Sequence, residues 1–577
     1  LILKPLFDDN SNTPLAEYPR PQFKRDSYLS LNGQFDYDIT KNDEKPSFIR
    51  KILVPYSPES KLSGVNHILK NDEVLWYRRV FSLDPSFVKE KVFLNIGACD
   101  QISEVYLNGS FVGKHMGGYN SFSFEISSYL KEENELIIKV TDDASSDLYG
   151  RGKQKYKNGG IWYTPISGIW KSVWLESVPK EYLERVEYVI DPEKDVLNIK
   201  VHKVGSTDVI RVRVIDDNNV LSDKSYPVSD VMIDISSLKK WTPDNPELYK
   251  LVFDYSTDSV ESYFGVRTFS RKRINNREYF VLNDKPVFQN GILDQGYFED
   301  GIYTPKSNRL MYEELKSVKE LGFNMLRKHI KVESMLWYYY CDILGILVWQ
   351  DMVNGGSQYN PLRIAMGAMR PLKFDDTNSK TTGRSEESKK QFIAEAKETI
   401  KQLYNTVSVS TWTVFNEGWG QFDSLKVCDE LRQLDSTRLF DNASGWVDTG
   451  KGDYSSHHIY FRKIKLTNDN NRVLALTEFG GYSYKAEPDR KGKVFGYSLY
   501  KDKEKLEKAI TNLYLNQVIP MIDNQGMSVS VYTQLTDVEE EINGIFTVDR
   551  KLKIRKETWQ YINKTIYEAF ERTTNNE

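Results

Sequence analysis

Two glutamates occupy positions that packing does not explain. Glu417 follows residues 408–415, a run rich in Val, Thr, Phe and Trp with no charged residue, which reads as a strand buried on both faces. The turn Gly418-Trp419-Gly420 comes directly after it. An unpaired carboxylate in a core is costly, and an open cleft at the strand end removes that cost. Glu478 likewise ends an apolar run over 473–477. Two carboxylates facing one cleft are the minimum equipment for breaking a glycosidic bond. One protonates the departing oxygen, and the other attacks the anomeric carbon or activates water.

The elements that would hold such a pair are eight apolar strand candidates, at 287–293, 323–329, 346–351, 408–416, 439–443, 454–460, 473–478 and 528–534. Helical patterns alternate with them, for example over 312–321, 388–404 and 503–523. Strand and helix repeated to a count of eight predicts a (β/α)8 TIM barrel, with its chemistry at the C-terminal strand ends. Those ends carry Asp294, Arg327 with His329, Gln350 with Asp351, Asn416 with Glu417, Asn442, His457 with His458 and Tyr460, Glu478, and Gln534. Polar ends on apolar strands at all eight positions exceed what adjoining loops would produce. The polar, Gly-rich insertion 353–384 after the third strand would shape the substrate opening.

Two β-rich segments precede the barrel. Residues 1–178 show short alternating runs and the hairpin signal Asn108-Gly109, which predicts a jelly-roll β-sandwich. Within it, residues 147–163 form a long Gly-, Lys- and Tyr-rich loop, either a surface excursion or a lid on a neighbouring site. Residues 179–270 fit a small immunoglobulin-like sandwich acting as a spacer, and 271–577 the barrel. At 577 residues the chain exceeds the ~250 to 300 at which single cores stop growing, in keeping with several domains.

A net charge of −4 with no basic stripe argues against nucleic acid. No run reaches the ~18 apolar residues of a membrane helix, so no membrane partner is expected. No signal peptide is read at Leu1, but the chain begins without Met, so its compartment is left open. The three cysteines, Cys99, Cys341 and Cys428, offer neither a disulfide framework nor zinc spacing, and the acids form no metal site; no cofactor is expected. Aromatic residues at 13% suit flat, hydroxyl-rich sugars, although β-sandwich cores also use many. A homo-oligomer is allowed.

These residues carry a family resemblance. The run 405–417, ending Phe415-Asn416-Glu417, resembles the acid/base signature of glycoside hydrolase family 2, which holds β-galactosidases, β-glucuronidases and β-mannosidases. Residues 324–329 resemble its second signature, with Lys328-His329-Ile330-Lys331 where Ser-His-Tyr-Pro is usual, and Thr477-Glu478-Phe479-Gly480-Gly481 is similar to its nucleophile strand. The resemblance covers nearly the whole chain. It implies a retaining mechanism with Glu478 as nucleophile, Glu417 as acid and then base, and Asn416 on the sugar 2-hydroxyl. Arg327 would hold Glu478 ionised or form an interior salt bridge. His329, His458, Tyr460, Asp294, Asp351 and Gln534 at strand ends, with Trp446 and Tyr482 in the following loops, complete the candidate substrate site; Asp351 bonds either the substrate or Arg327.

In the β-glucuronidases of this family an Asn-x-Lys pair before a Gly-Ile-Phe-Thr segment recognises the sugar carboxylate. Here Glu541 and Asn543 take those positions, and an acid repels a uronic acid. A neutral hexoside, most simply a galactoside, is expected unless Arg151, Lys153 or Lys155 of the sandwich loop supplies the cation. Two other classes are a catalytically silent carbohydrate-binding protein, against which retention of both glutamates and Asn416 argues, and a structural or adhesion protein built from sandwich modules, against which a barrel of this size argues.

Overall fold

The computed structural model describes residues 3–575 apart from 9, 43, 356–360 and 488–492. The first sandwich pairs two antiparallel sheets. One runs Arg50–Val54, Gly33–Lys41, Glu73–Ser82, Glu133–Thr141, Ile102–Leu107, Ser110–Met116, and the other Tyr28–Ser30, Val173–Val178, Lys91–Ile96, Phe122–Glu125. Alternation along Glu133–Thr141 turns Leu136, Ile138 and Val140 inward against Leu94, Val105 and Leu107. Asn108 and Gly109, both at positive φ, make the tight turn between Ile102–Leu107 and Ser110–Met116. The second sandwich stacks Tyr182–Asp191, Val196–Val204 and Val231–Asp234 on Asn219–Pro227, Val209–Asp216, Tyr249–Tyr255 and Asp258–Phe264 around its own core.

The barrel strands are β1 (Gln289–Asp294), β2 (Met325–Lys328), β3 (Leu347–Asp351), β4 (Val409–Asn416), β5 (Leu439–Ser444), β6 (Tyr454–Ile459), β7 (Val473–Gly480) and β8 (Val529–Thr533). They pair in parallel in one eight-stranded sheet. Between β5 and β6 the seam is held by Asp453 N donating to Phe440 O at 3.1 Å and Ser456 Oγ to Asp441 Oδ2 at 2.9 Å. Every residue of β4 and β7 is buried, which is why both read as continuous apolar runs. Gly291 lets β1 approach β2: a Cβ there would lie 2.7 Å from Met325 O. The predicted helix 503–523 is interrupted. Pro520 has no amide proton, and the π turn Tyr514–Val518 joins Lys503–Leu513 to Ile519–Gln525.

Of the two roles open to loop 147–163, the fold places it across the barrel mouth. Arg151 N donates to Asn354 O at 2.9 Å, Gly160 N to Glu540 Oε2 at 2.9 Å, and the adjoining Thr164 N to Glu539 Oε1 at 2.8 Å. The insertion after β3, partly outside the described residues, sends Leu372 and Phe374 against Trp419, Trp446 and Val447 on the same face.

The second sandwich is fixed to the barrel through Asp342. Its carboxylate accepts from Ser408 N and Tyr263 OH, both at 2.7 Å, and its carbonyl accepts from Trp241 Nε1 at 2.9 Å. Tyr263→Phe leaves a buried carboxylate one donor short. It is expected to lower stability by about 1–3 kcal/mol, measured as a fall in the urea midpoint.

Candidate active site

The polar strand ends converge on one guanidinium. Arg327, fully buried on β2, donates from Nε to Asp351 Oδ1 and Oδ2 (2.9 and 3.1 Å), from Nη1 to Glu478 Oε1 (3.2 Å) and Thr477 O (3.1 Å), and from Nη2 to Asn416 Oδ1 (2.8 Å). Because β2, β3, β4 and β7 all lack a solvent-facing side, their terminal polar groups turn to the mouth and satisfy one another there. A guanidinium only donates, so Arg327 also orients the Asn416 amide, turning Nδ2 away from itself as a free donor. Burial pulls the Glu478 carboxyl up, but His458, Arg327, His329 and Lys153 outweigh it and hold the group below the usual carboxylate range. Tyr460 OH donates to Glu478 Oε2 at 2.6 Å and meets Thr533 Oγ1 at 2.8 Å, fixing the carboxylate from its other side.

Glu417 stands opposite, at the end of β4. Its backbone is left-handed, φ 51°, a conformation costing a bulky residue on the order of 1–3 kcal/mol. The bond from Glu417 N to Ser444 O, 2.8 Å, holds it there. Burial and the charge of Glu478 raise its carboxyl above the ordinary value. His458 lies between the two acids, with Nδ1 2.8 Å from Glu417 Oε1 and 3.4 Å from Glu478 Oε2. Its Nε2 is 3.4 Å from Arg327 Nη1 and 2.9 Å from Ser444 Oγ. Since Arg327 cannot accept, Nε2 does, and the ring proton sits on Nδ1. Glu417 Oε1 is thereby an acceptor, which leaves Oε2 as the oxygen able to carry a proton.

Several residues expected to touch substrate are bonded to one another or to neighbouring side chains. Asp351 is taken up by Arg327 and by His329 Nδ1 at 2.7 Å, and Asp294 by Lys328 Nζ at 2.7 Å and Gly296 N at 2.8 Å. Gln534 accepts from Gln295 Nε2 and donates to Asn543 Oδ1, both at 2.7 Å. His458 and Tyr460 position the acids. Trp446 packs with Trp419 and Val447 in the wall of the opening, and Tyr482 lies outside the site, its ring 5.3 Å from that of Tyr500. The tyrosine that does approach is Tyr497, stacked on Tyr460 at 4.1 Å. No strand or motif marks it in sequence. His329 remains available: burial brings it down to about 4, its Nδ1 faces Asp351, and its buried Nε2 has no partner, an acceptor suited to a hydroxyl.

One oxygen each of Glu417 and Glu478 and a ring nitrogen of His458 lie within 4.8 Å of one another, the one such set among the described residues that could share a metal ion. The residues do not fit one: Arg327 already supplies the countercharge to Glu478, and a cation there would face it.

A (β/α)8 barrel with two carboxylates of split proton affinity at its mouth, behind two β-sandwiches, defines a class of paired-carboxylate barrel proteins. Family models agree in order along the chain: the glycosyl hydrolases family 2 sugar binding domain matches residues 64–179, the glycosyl hydrolases family 2 domain 177–267, and the family's TIM barrel domain 273–566. The chain belongs to glycosyl hydrolases family 2. It is 24% identical over 489 residues to a β-galactosidase of Thermoanaerobacter pseudethanolicus, covering 79% of this chain and 59% of that one. It is 25% identical over 393 residues to a putative β-glucuronidase of Formosa agariphila, covering 64% and 34%. The chain thus spans at most three-fifths of the length of these relatives. Its fold is similar to that of the β-D-glucuronidase of Dictyoglomus thermophilum, with a TM-score of 0.74, 18% identity, and coverage of 96% and 98%.

Removing Arg327 leaves Asp351 and Glu478 buried without a counterion. Arg327→Met is expected to destabilise the protein by about 3–5 kcal/mol, read from denaturant unfolding, whereas the Arg327→Met, Asp351→Asn double variant recovers part of that loss.

Proposed function

We propose that the protein is a retaining exo-β-glycosidase acting on a neutral sugar, most simply a β-galactosidase. The observation that carries this reading is the pair Glu417 and Glu478, within 4.8 Å and pushed in opposite directions in proton affinity. Carboxylate oxygens lying within 4.8 Å suit direct attack rather than a water held between the two groups. Glu478, ionised, attacks the anomeric carbon while Glu417 passes its proton to the glycosidic oxygen, and the aglycone departs as an alcohol. The Glu478 ester carries no charge, so Glu417 loses the repulsion that kept it protonated and becomes the base. It takes a proton from water, the resulting hydroxide attacks the anomeric carbon, the bond from that carbon to Glu478 breaks with the carboxylate leaving, and both glutamates return to their starting states. Asn416 Nδ2 and His329 Nε2 supply one donor and one acceptor for sugar hydroxyls. The loop across the mouth favours a glycan end over an internal bond, which supports the exo reading.

Glu478→Gln is expected to abolish hydrolysis of nitrophenyl β-glycosides, and Glu417→Gln to lower it by ~10²–10⁴-fold; full activity in either variant removes that residue's role. The pH profile tests the pair as a unit. Activity falls at high pH as Glu417 loses its proton and at low pH as Glu478 gains one. His458 lowers both groups, so His458→Leu is expected to move both limbs of the kcat/KM profile upward.

A further inference from the structure

We infer that Asp441, a buried acid of β5 that the two displacements do not use, is a positioning residue: it shares one proton with His458 through Ser456, Thr477 and Ser444, and lets His458 carry a positive charge beside Glu417 while the sugar is bound to Glu478. The inference deepens the function proposed above and rests on it. Every link is short. Ser456 Oγ lies 2.9 Å from Asp441 Oδ2, Thr477 Oγ1 2.6 Å from Ser456 Oγ, Ser444 Oγ 3.0 Å from Thr477 Oγ1, and His458 Nε2 2.9 Å from Ser444 Oγ. The path runs from β5 to β6 and β7, then back to β5 and on to β6, and all five side chains are buried. His457 O, 3.3 Å from Thr477 Oγ1, is a longer alternative to the same hydroxyl.

Proton counting fixes what this path can hold. It has four links, and its three hydroxyls bring three protons. The fourth comes from one end, as Asp441 Oδ2–H or as His458 Nε2–H, and every hydroxyl then points away from that end. In the free enzyme the proton is on Asp441. Arg327 Nη1, 3.4 Å from Nε2, opposes a second N–H on the ring, and Asp441 Oδ1 is buried without a hydrogen-bond partner, which penalises the carboxylate. Burial carries this carboxyl up to about 6, although Arg327, Ser456 and His458 lower it. Loss of the Glu417 proton to the aglycone reverses the balance. The Glu417 carboxylate, 2.8 Å from Nδ1, favours an imidazolium. Asp441 then passes its proton to Ser456, Ser456 its own to Thr477, Thr477 to Ser444, and Ser444 to Nε2, so that Ser456 now donates to a carboxylate. A carboxylic acid and an imidazole become a carboxylate and an imidazolium, no proton enters or leaves, and the transfer reverses when Glu417 takes its proton from water. The other titratable groups facing the pair are Glu478 on β7, Asp351 on β3, Tyr454 on β6 and Cys428 on the helix Ser424–Arg432.

The test separates the two displacements. A dinitrophenyl glycoside of the sugar that wild type cleaves needs little help from an acid, so the second displacement limits kcat, as a burst of dinitrophenol verifies. The acid limb of the kcat profile then reports Glu417 as base in the glycosyl-enzyme. In Asp441→Asn the amide can still donate to Ser456, so every link stays filled but no proton can leave. Without the imidazolium Glu417 holds its proton to higher pH, and that limb is expected to move upward by about 1 unit, while the limbs of kcat/KM, which belong to the free enzyme, keep their positions. Ser456→Ala is expected to give the same shift and the double variant no further one. A limb unmoved in both variants, or kcat/KM limbs that move with it, overturns the shared proton. The charge itself is read from 15N spectra of the six histidines, with His458 identified by its loss in His458→Leu. Glu478→Gln puts a neutral amide where the ester would be. His458 is expected to be neutral with its proton on Nδ1 in wild type, an imidazolium in Glu478→Gln, and neutral again in Glu478→Gln, Asp441→Asn; one state in all three overturns the inference. If wild type cleaves no glycoside, the proposed function fails, and these spectra decide the shared proton by themselves.

Discussion

The guanidinium of Arg327 is the interaction on which the site depends. It is fully buried, yet each of its three nitrogens meets an oxygen: Nε at Asp351, Nη1 at Glu478 and the Thr477 carbonyl, Nη2 at Asn416. Taking these charges from water is costly, and only close, bidentate geometry with all remaining lone pairs occupied offsets it. The geometry requires four barrel strands to end at one height. Conversely, once the strands are closed, the cluster fixes which way the Asn416 amide faces and keeps Glu478 ionised. Charge and architecture therefore constrain each other.

His458 extends this arrangement to the second acid. With its proton on Nδ1, it donates to Glu417, stands 3.4 Å from Glu478 and leaves the other oxygen of Glu417 without that bond. The left-handed backbone at Glu417 stores strain at the same point. It persists because the bond to Ser444 O and the Gly418 turn leave the side chain no other exit from β4. Strain, burial and the Glu478 charge all act on one carboxyl, and all raise its proton affinity or fix its direction.

The mouth is completed by residues far away in sequence. The loop over 147–163 belongs to the first sandwich but is anchored by Asn354 on one side and by Glu539 and Glu540 on the other. This brings Tyr163 against Glu541, nearly four hundred positions later in the chain. A domain that reads as a separate sandwich thus forms part of the barrel's site, while the second sandwich is fixed to the barrel through Asp342, Tyr263 and Trp241.

Much of this was legible in the chain itself. Runs of five to nine residues, mostly apolar and ending in a polar group, marked all eight barrel strands, because a strand covered on both faces favours that composition. Asn-Gly marked a hairpin, and Asn416-Glu417 and Glu478 stood out because a carboxylate at a buried strand end lacks a packing reason. What the sequence could not decide was which of many polar ends would be spent on one another. Asp294, Asp351, Gln534 and His458 have the same credentials as His329, and only their distances show that Lys328, Arg327, Gln295 and Glu417 already occupy them. Tyr497 carries no local signal, since its place depends on stacking with Tyr460. Periodicity and burial are one-dimensional and survive in the sequence. The pairing of charges across a closed barrel depends on three-dimensional distance, and only the tertiary structure supplies it.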